Sequence, residues 1–201
     1  MIRLLLADDQ ALVRGALAAL LDLEADLTVV GEAGSGEAAV ALAEELSPDV
    51  VLMDVEMPGM DGIAATTLIR HTQPSVQVLM VTTFGRPGFL RRALAAGASG
   101  FVVKDTPARE LADAVRRVAA GLRVVDPSLA ADSLVVGDSP LTDRETDVLR
   151  EARSGATVAE IARSVHLTEG TVRNHLSAAI GKTGARNRAD ATRIAEEHGW
   201  L

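Results

Sequence analysis

Residues 49–62 read DVVLMDVEMPGMDG. Four apolar residues run unbroken from Val50 to Met53, close on Asp54, and yield to a loop holding Pro58, Gly59 and Gly62. A strand that is apolar at every position is covered on both faces, as in a parallel sheet flanked by helices. The same texture recurs on either side, giving candidate strands Ile2–Ala7, Leu27–Glu32, Asp49–Asp54, Val76–Thr82 and Gly100–Val103. Helical periods fill the gaps: Leu12, Ala16, Ala19, Leu20 and Leu23 in the first, Ala38, Leu42 and Leu46 in the second. Pro48 and Pro74 end the second and third helices ahead of the next strands. Thr106, Pro107 and Gly121 bracket a fifth helix from about Pro107 to Ala120. Alternating strand and helix units of this number predict an α/β fold with a doubly wound, five-stranded parallel sheet. A barrel would need eight.

The texture changes after residue 120. Pro127, Gly137, Asp138, Ser139 and Pro140 cluster where periodicity fades, so 121–139 reads as a linker. Beyond it the chain is all-helical, with segments 142–153, 157–164, 168–182 and 188–198 broken at Gly155, His166–Leu167 and Gly184. The expected division is 1–120, linker 121–139, and an all-α four-helix domain at 140–201. Charge follows it. Residues 1–122 carry 10 Lys and Arg against 16 Asp and Glu, whereas residues 140–201 carry nine of each. The net charge of −8 argues against a non-specific nucleic-acid binder, while the split suggests two units with different partners. Cysteine is absent, which excludes disulfides and thiolate metal sites. No apolar run is long enough for a membrane span, and MIRLLLADDQ is no signal peptide, so the cytoplasm is the expected location and no membrane partner is expected.

Polar residues gather at the strand ends. Asp8 and Asp9 follow the first strand, Asp54 closes the third, Thr82 the fourth, and Lys104 follows the fifth. One such residue is most simply a turn or a cap. Five of them at the carboxyl edge, where open α/β sheets bind ligands, make a site. Three neighbouring carboxylates repel unless a cation joins them, and a hard, oxygen-lined site suits magnesium. Such an ion can organise a phosphoryl group against a carboxylate nucleophile. Asp54 is the best nucleophile, expected to lie exposed at the sheet edge. Lys104 would supply a charge and Thr82 a hydroxyl for phosphoryl oxygens.

The ordered set ADD, MDVEMPGMDG, VTT and GFVVKD resembles the receiver domain of two-component response regulators, a flavodoxin-like fold, over residues 1–120. The resemblance implies that Asp54 accepts a phosphoryl group from a sensor histidine kinase. It also implies that Asp9 and Asp54 ligate magnesium with the backbone carbonyl of Glu56, and that Asp8 assists. Thr82 and Phe101 would act as the switch pair, with Phe standing where a phenolic hydroxyl is common. Asp105 replaces the proline many receivers carry after the lysine.

Residues 140–198 resemble the LuxR-type (NarL/FixJ) helix-turn-helix, and the pattern of residues agrees. Thr142 and Glu145 form a T-x-x-E capping box. Val158, Ile161 and Ala162 face inward on the scaffold helix. Thr168 caps the next helix, whose Val172, Leu176 and Ile180 are spaced for a core. Arg173, Asn174 and Ser177 then point away, as on a helix that reads the major groove of double-stranded DNA. Arg173 and Asn174 suit guanine and adenine. Arg163, Thr171, Lys182, Arg186 and Arg188 suit phosphates. Ser177 stands where related proteins often carry a lysine. A neutral domain binds feebly alone, so pairing as a homodimer on a repeated operator is expected. The last helix, with Ala191, Ile194 and Ala195, is either a dimerising helix or simple core. DLE at 22–24, TTFGRPGF at 82–89, LTDRE at 141–145 and GTVRNH at 170–175 resemble the DesR-like regulators of membrane-lipid desaturation. Two other readings stand beside a phosphorylation-dependent regulator: a magnesium phosphatase using an aspartyl phosphate, and a regulator that binds DNA irrespective of phosphate. The phosphatases carry aspartate where Glu56 stands.

Overall fold

The computed structural model describes residues 1–83, 87–126, 129–130 and 139–201. Most of the expected linker (127–128 and 131–138) and positions 84–86 of the TTFGRPGF stretch lie outside the described residues. The chain forms two compact units.

In the first, β1 (Ile2–Ala7), α1 (Ala11–Leu21), β2 (Leu27–Ala33), α2 (Gly36–Leu46), β3 (Val50–Met53), α3 (Gly62–Thr72), β4 (Gln77–Thr82), α4 (Pro87–Ala95), β5 (Gly100–Val103), α5 (Ala108–Ala119) and β6 (Val124–Val125) follow in order. The strands align as β2-β1-β3-β4-β5-β6, all parallel. This is the doubly wound sheet expected, extended by one short strand. β6 lies where the sequence reads as linker. A two-residue strand has no detectable period, but Val124 and Val125 pair with Gly100 and Phe101, and Val124 is buried. The sheet therefore runs past the boundary expected at Ala120.

Alternation along the strands sorts the core into two layers. Leu5, Ala7, Val51, Met53, Val78, Met80 and Phe101 pack with Ala39 and Ala43 of α2, Ile63 and Ile69 of α3, and Leu90 and Ala93 of α4. Leu4, Leu6, Val50, Leu52, Leu79, Val81 and Val102 pack with Leu21 of α1 and Leu111, Val115 and Val118 of α5.

The α1 period has two solutions, and the structure takes the one not expected. Leu17, Ala18 and Leu21 face the sheet, whereas Leu12, Leu20 and Leu23 are 87%, 45% and 81% exposed, and Ala16 and Ala19 are exposed too. Arg14 is the only charged residue in α1, so hydrophobicity alone could not orient the helix.

In the second unit, α6 (Asp143–Glu151) runs through a 3₁₀ turn, Ala152–Ser154, to α7 (Val158–Ser164), α8 (Glu169–Thr183) and α9 (Arg188–Glu197). Each helix is started by a side-chain cap. Thr142 with Glu145 and Thr157 with Glu160 form full capping boxes, and Thr168 and Asn187 cap α8 and α9. Val148, Leu149, Ile161, Val172, Leu176, Ala179, Ala191 and Ala195 form the core. Ala191 and Ala195 are thus core residues of this unit.

One close approach fixes the loop after Asp54. A Cβ built on Gly62 would stand 1.8 Å from the Asp54 carbonyl oxygen. Backbone cannot yield as a side-chain tip can, so Gly62→Ala should lower stability by about 1–3 kcal/mol, as overpacking does. Urea unfolding of the two proteins measures this.

Candidate functional site

The sheet order reverses between β1 and β3, and this is where a crevice opens at the carboxyl ends of parallel strands. Asp8 and Asp9 leave β1 there, and Asp54 leaves β3. The Asp54 amide donates to the Ala7 carbonyl at 2.8 Å, so the two turns are pinned side by side. One carboxylate oxygen from each of Asp8, Asp9 and Asp54 lies within 4.8 Å of the others. The Lys104 ammonium donates to Asp8 Oδ2 at 2.7 Å and to Asp54 Oδ2 at 2.8 Å. Its own amide donates to the Thr82 carbonyl at 2.7 Å, which anchors the β5 end to the β4 end. Asp54 Oδ1 accepts from the Val55 amide at 2.7 Å, and Asp8 Oδ1 from the Gln10 amide at 2.9 Å.

Asp54 is only 4% exposed, which corrects the expectation of an exposed nucleophile. The loop that reads as open from its turn residues doubles back, the Gly62 amide donating to the Val55 carbonyl at 3.0 Å, and Lys104 bridges the Asp54 and Asp8 carboxylates. Burial pushes the Asp54 carboxyl above its usual range, with Lys104 pulling the other way. Burial opposes the Lys104 charge, yet the bonds to Asp54 and Asp8 prevail and raise its pKa. Asp9 is exposed at this corner, and the side chain of Glu56, two residues beyond Asp54, is exposed as well. Thr82 is buried at its strand end. By alternation it shares a face with Met80 and Phe101, and Phe101 is wholly buried in that layer.

Three carboxylate oxygens gathered this closely beside one ammonium fit a small, hard divalent cation. Sequence reasoning missed Arg14. Its guanidinium donates to the Asp8 carbonyl at 2.5 Å and to Glu32 at 3.1 Å, tying the Asp8–Asp9 turn to β2. An arginine on an otherwise apolar helix was the available signal.

On α8, Arg173, Asn174 and Ser177 are exposed on one side while Val172, Leu176 and Ala179 are buried on the other. The cations assigned to DNA are all held within the unit. Arg173 pairs with Glu169 at 2.7 Å, Lys182 with Glu145 at 2.7 Å, and Arg186 with Asp190 at 3.2 Å. Arg188 donates to the Ala156 carbonyl at 2.7 Å and Arg163 to the Ala159 carbonyl at 3.3 Å. Thr171 joins the cap, its hydroxyl 2.8 Å from that of Thr168. Glu145 is buried; Lys182 and the Thr142 amide overcome the effect of burial and hold its carboxyl low.

A receiver-type α/β unit with this acidic corner, joined to a capped helix-turn-helix unit, defines a two-part regulator. The receiver-domain model of response regulators matches residues 4–116, and the model of bacterial regulatory proteins of the luxR family matches residues 139–195. Along 100% of both chains, this protein is 44% identical to the uncharacterized transcriptional regulatory protein YvfU of Bacillus subtilis. It is 41% identical to the transcriptional regulatory protein DesR of the same organism, again along 100% of both. The crystal structure of ChrA, the response regulator of a heme-sensing two-component system, superposes with TM-score 0.60 at 32% identity, covering 100% of this chain and 98% of that one. The chain belongs to the NarL/LuxR family of response regulators, which act in transcription regulation. Among the described residues no helix is long and apolar enough to cross a membrane.

Removing the ammonium leaves two buried carboxylates without a counter-charge, each held only by a backbone amide. In metal-free buffer, Lys104→Met should lower stability by about 3 kcal/mol at neutral pH, as breaking a buried pair does. The deficit should narrow on acidification. The variant's folded Asp54 pKa would lie further above its unfolded value, so its folded state takes up protons first and becomes relatively more stable as pH falls. Urea titrations across pH read both effects.

Proposed function

We propose that this chain is a phosphorylation-dependent transcription regulator in which Asp54 is the phosphoacceptor. The observation that carries this reading is the Lys104 ammonium bridging Asp8 and Asp54 beside Asp9. The Asp54 carboxylate attacks the phosphorus of a phosphohistidine on a sensor histidine kinase. The new P–O bond makes an acyl phosphate, the P–N bond breaks, and the imidazole leaves. Asp8, Asp9 and Asp54, with the Glu56 backbone carbonyl, would hold magnesium, which supplies charge neutralisation for the phosphoryl oxygens. Lys104 exchanges a carboxylate for a phosphoryl oxygen, and the Thr82 hydroxyl donates to another. Because Thr82 and Phe101 share one face of the sheet, drawing Thr82 toward the phosphate opens packing space for Phe101 on the α4 side.

The phosphorylated receiver, residues 1–120 with β6 beyond it, promotes pairing of two chains, and the unit at 140–201 then binds promoter DNA as a pair. The apolar stripe of Leu12, Ala16, Leu20 and Leu23 supports self-association, since exposed apolar patches mark interfaces. DNA reading rests on Arg173, Asn174 and Ser177 in the groove, with Arg163, Thr171, Lys182, Arg186 and Arg188 on phosphates.

Incubation with a small acyl phosphodonor and magnesium should add one phosphoryl group to the wild type and none to Asp54→Ala, read by intact mass. Phosphate on Asp54→Ala would refute the assignment. Sedimentation should show phosphorylation shifting the wild type toward dimer, and a Leu12→Glu/Leu20→Glu variant staying monomeric while still accepting phosphate.

A further inference from the structure

The recognition face of α8 holds an acidic residue that the DNA-reading set leaves out. Glu169 is the first residue of the helix, and it is not needed as its cap: Thr168 already accepts from the Thr171 amide. Its carboxylate instead accepts from Arg173 Nη2 at 2.7 Å through Oε2, one helical turn along. Both side chains are at least half exposed. Among the described residues Oε1 of Glu169 makes no bond. Between Glu169 and Gly181, Arg173 is the only cation on the helix, and the remaining exposed positions are Gly170, Asn174, Ser177 and Gly181. The face therefore presents a charge-neutral pair on an otherwise small, polar surface.

Such a pair has a defined meaning in a major groove. The N-terminal residues of a recognition helix approach the base edges. A carboxylate there is repelled by phosphates and meets few donors: among base edges only the exocyclic amines of cytosine and adenine donate in that groove. An arginine braced by a carboxylate loses less freedom when it forms its two-pronged bond to guanine. We propose that Glu169 and Arg173 read DNA as one unit. Arg173 takes the O6 and N7 acceptors of a guanine, Oε2 of Glu169 holds the guanidinium in place, and Oε1 accepts from the N4 amine of a neighbouring cytosine. Glu169 is thus a specificity-determining residue, at the expense of electrostatic affinity. The inference rests on the DNA-binding reading above and adds the base class it selects.

The test is selection from a randomised duplex library by the full-length chain, treated with phosphodonor and magnesium, as wild type, Glu169→Gln and Arg173→Ala. The wild type should enrich a guanine with an adjacent cytosine in each half-site. Glu169→Gln should lose the cytosine preference by at least about fivefold, the low end for reading one base. It should bind unrelated DNA more tightly, with the salt dependence of log K steeper by about 0.9 for each further phosphate that the released Arg173 neutralises. Arg173→Ala should lose the guanine, having no donor for O6 and N7. Unfolding midpoints should stay near that of the wild type, because both side chains face solvent. An unchanged base profile for Glu169→Gln would overturn the proposal alone and leave an ordinary surface ion pair. A wild type that enriches no sequence at all would bring down the DNA-binding reading, and this inference with it.

Discussion

The first unit depends on one ammonium. Parallel strands with the order β2-β1-β3 bring Asp8, Asp9 and Asp54 to a single corner, and their mutual repulsion must be answered by positive charge. Lys104 supplies it from the far side of β4, and can do so because its backbone is tied to Thr82. The geometry and the charge balance are therefore the same constraint. A lysine is suited to this place because its ammonium is a compact point charge on a flexible stem, able to leave one oxygen for another. An arginine fork would be committed to a fixed pair of acceptors.

That corner was largely legible in the sequence because strand ends are. Unbroken apolar runs such as Val50–Met53 fix where a strand stops, and the sheet's handedness fixes which ends meet. What the sequence could not show was depth. Asp54 reads as exposed from the turn residues that follow it, yet it is buried, and Gly62 lets α3 begin hard against its backbone carbonyl. The orientation of α1 was also hidden, since a helix built almost wholly of Ala and Leu carries two apolar stripes and only packing selects between them. β6 was invisible for a third reason: two residues are too few for any period, and their strand state comes from an edge offered by β5.

In the second unit the helix starts were legible and the charges were not. Thr142 and Glu145 announce a capping box by spacing alone, and Thr157 with Glu160 carries the same signal one helix later. Each predicted phosphate-binding cation has a partner within the unit, a fact that composition cannot reveal. The pairing of Lys182 with the buried Glu145 is the clearest case. Glu145 serves the cap of α6 and the ion pair at once, so the start of one helix and the end of α8 are joined by a single carboxylate.

These paired charges bear on how such a molecule could be switched. A DNA-binding unit with nine acidic and nine basic residues, its cations held internally, cannot rely on long-range attraction to phosphate. Under the proposed reading its hold on the phosphates comes locally, by exchanging an internal acceptor for one on the duplex, so the net gain from each exchange is small. Under that reading a single copy binds weakly. Joining two such copies makes the second encounter intramolecular, which raises affinity by orders of magnitude while every interaction with the duplex stays the same. Under the proposed reading, the phosphoryl group need not act on the recognition helix at all. It need only shift the association of two receivers, and the weakness of the separate DNA-binding units converts that shift into occupancy of a site.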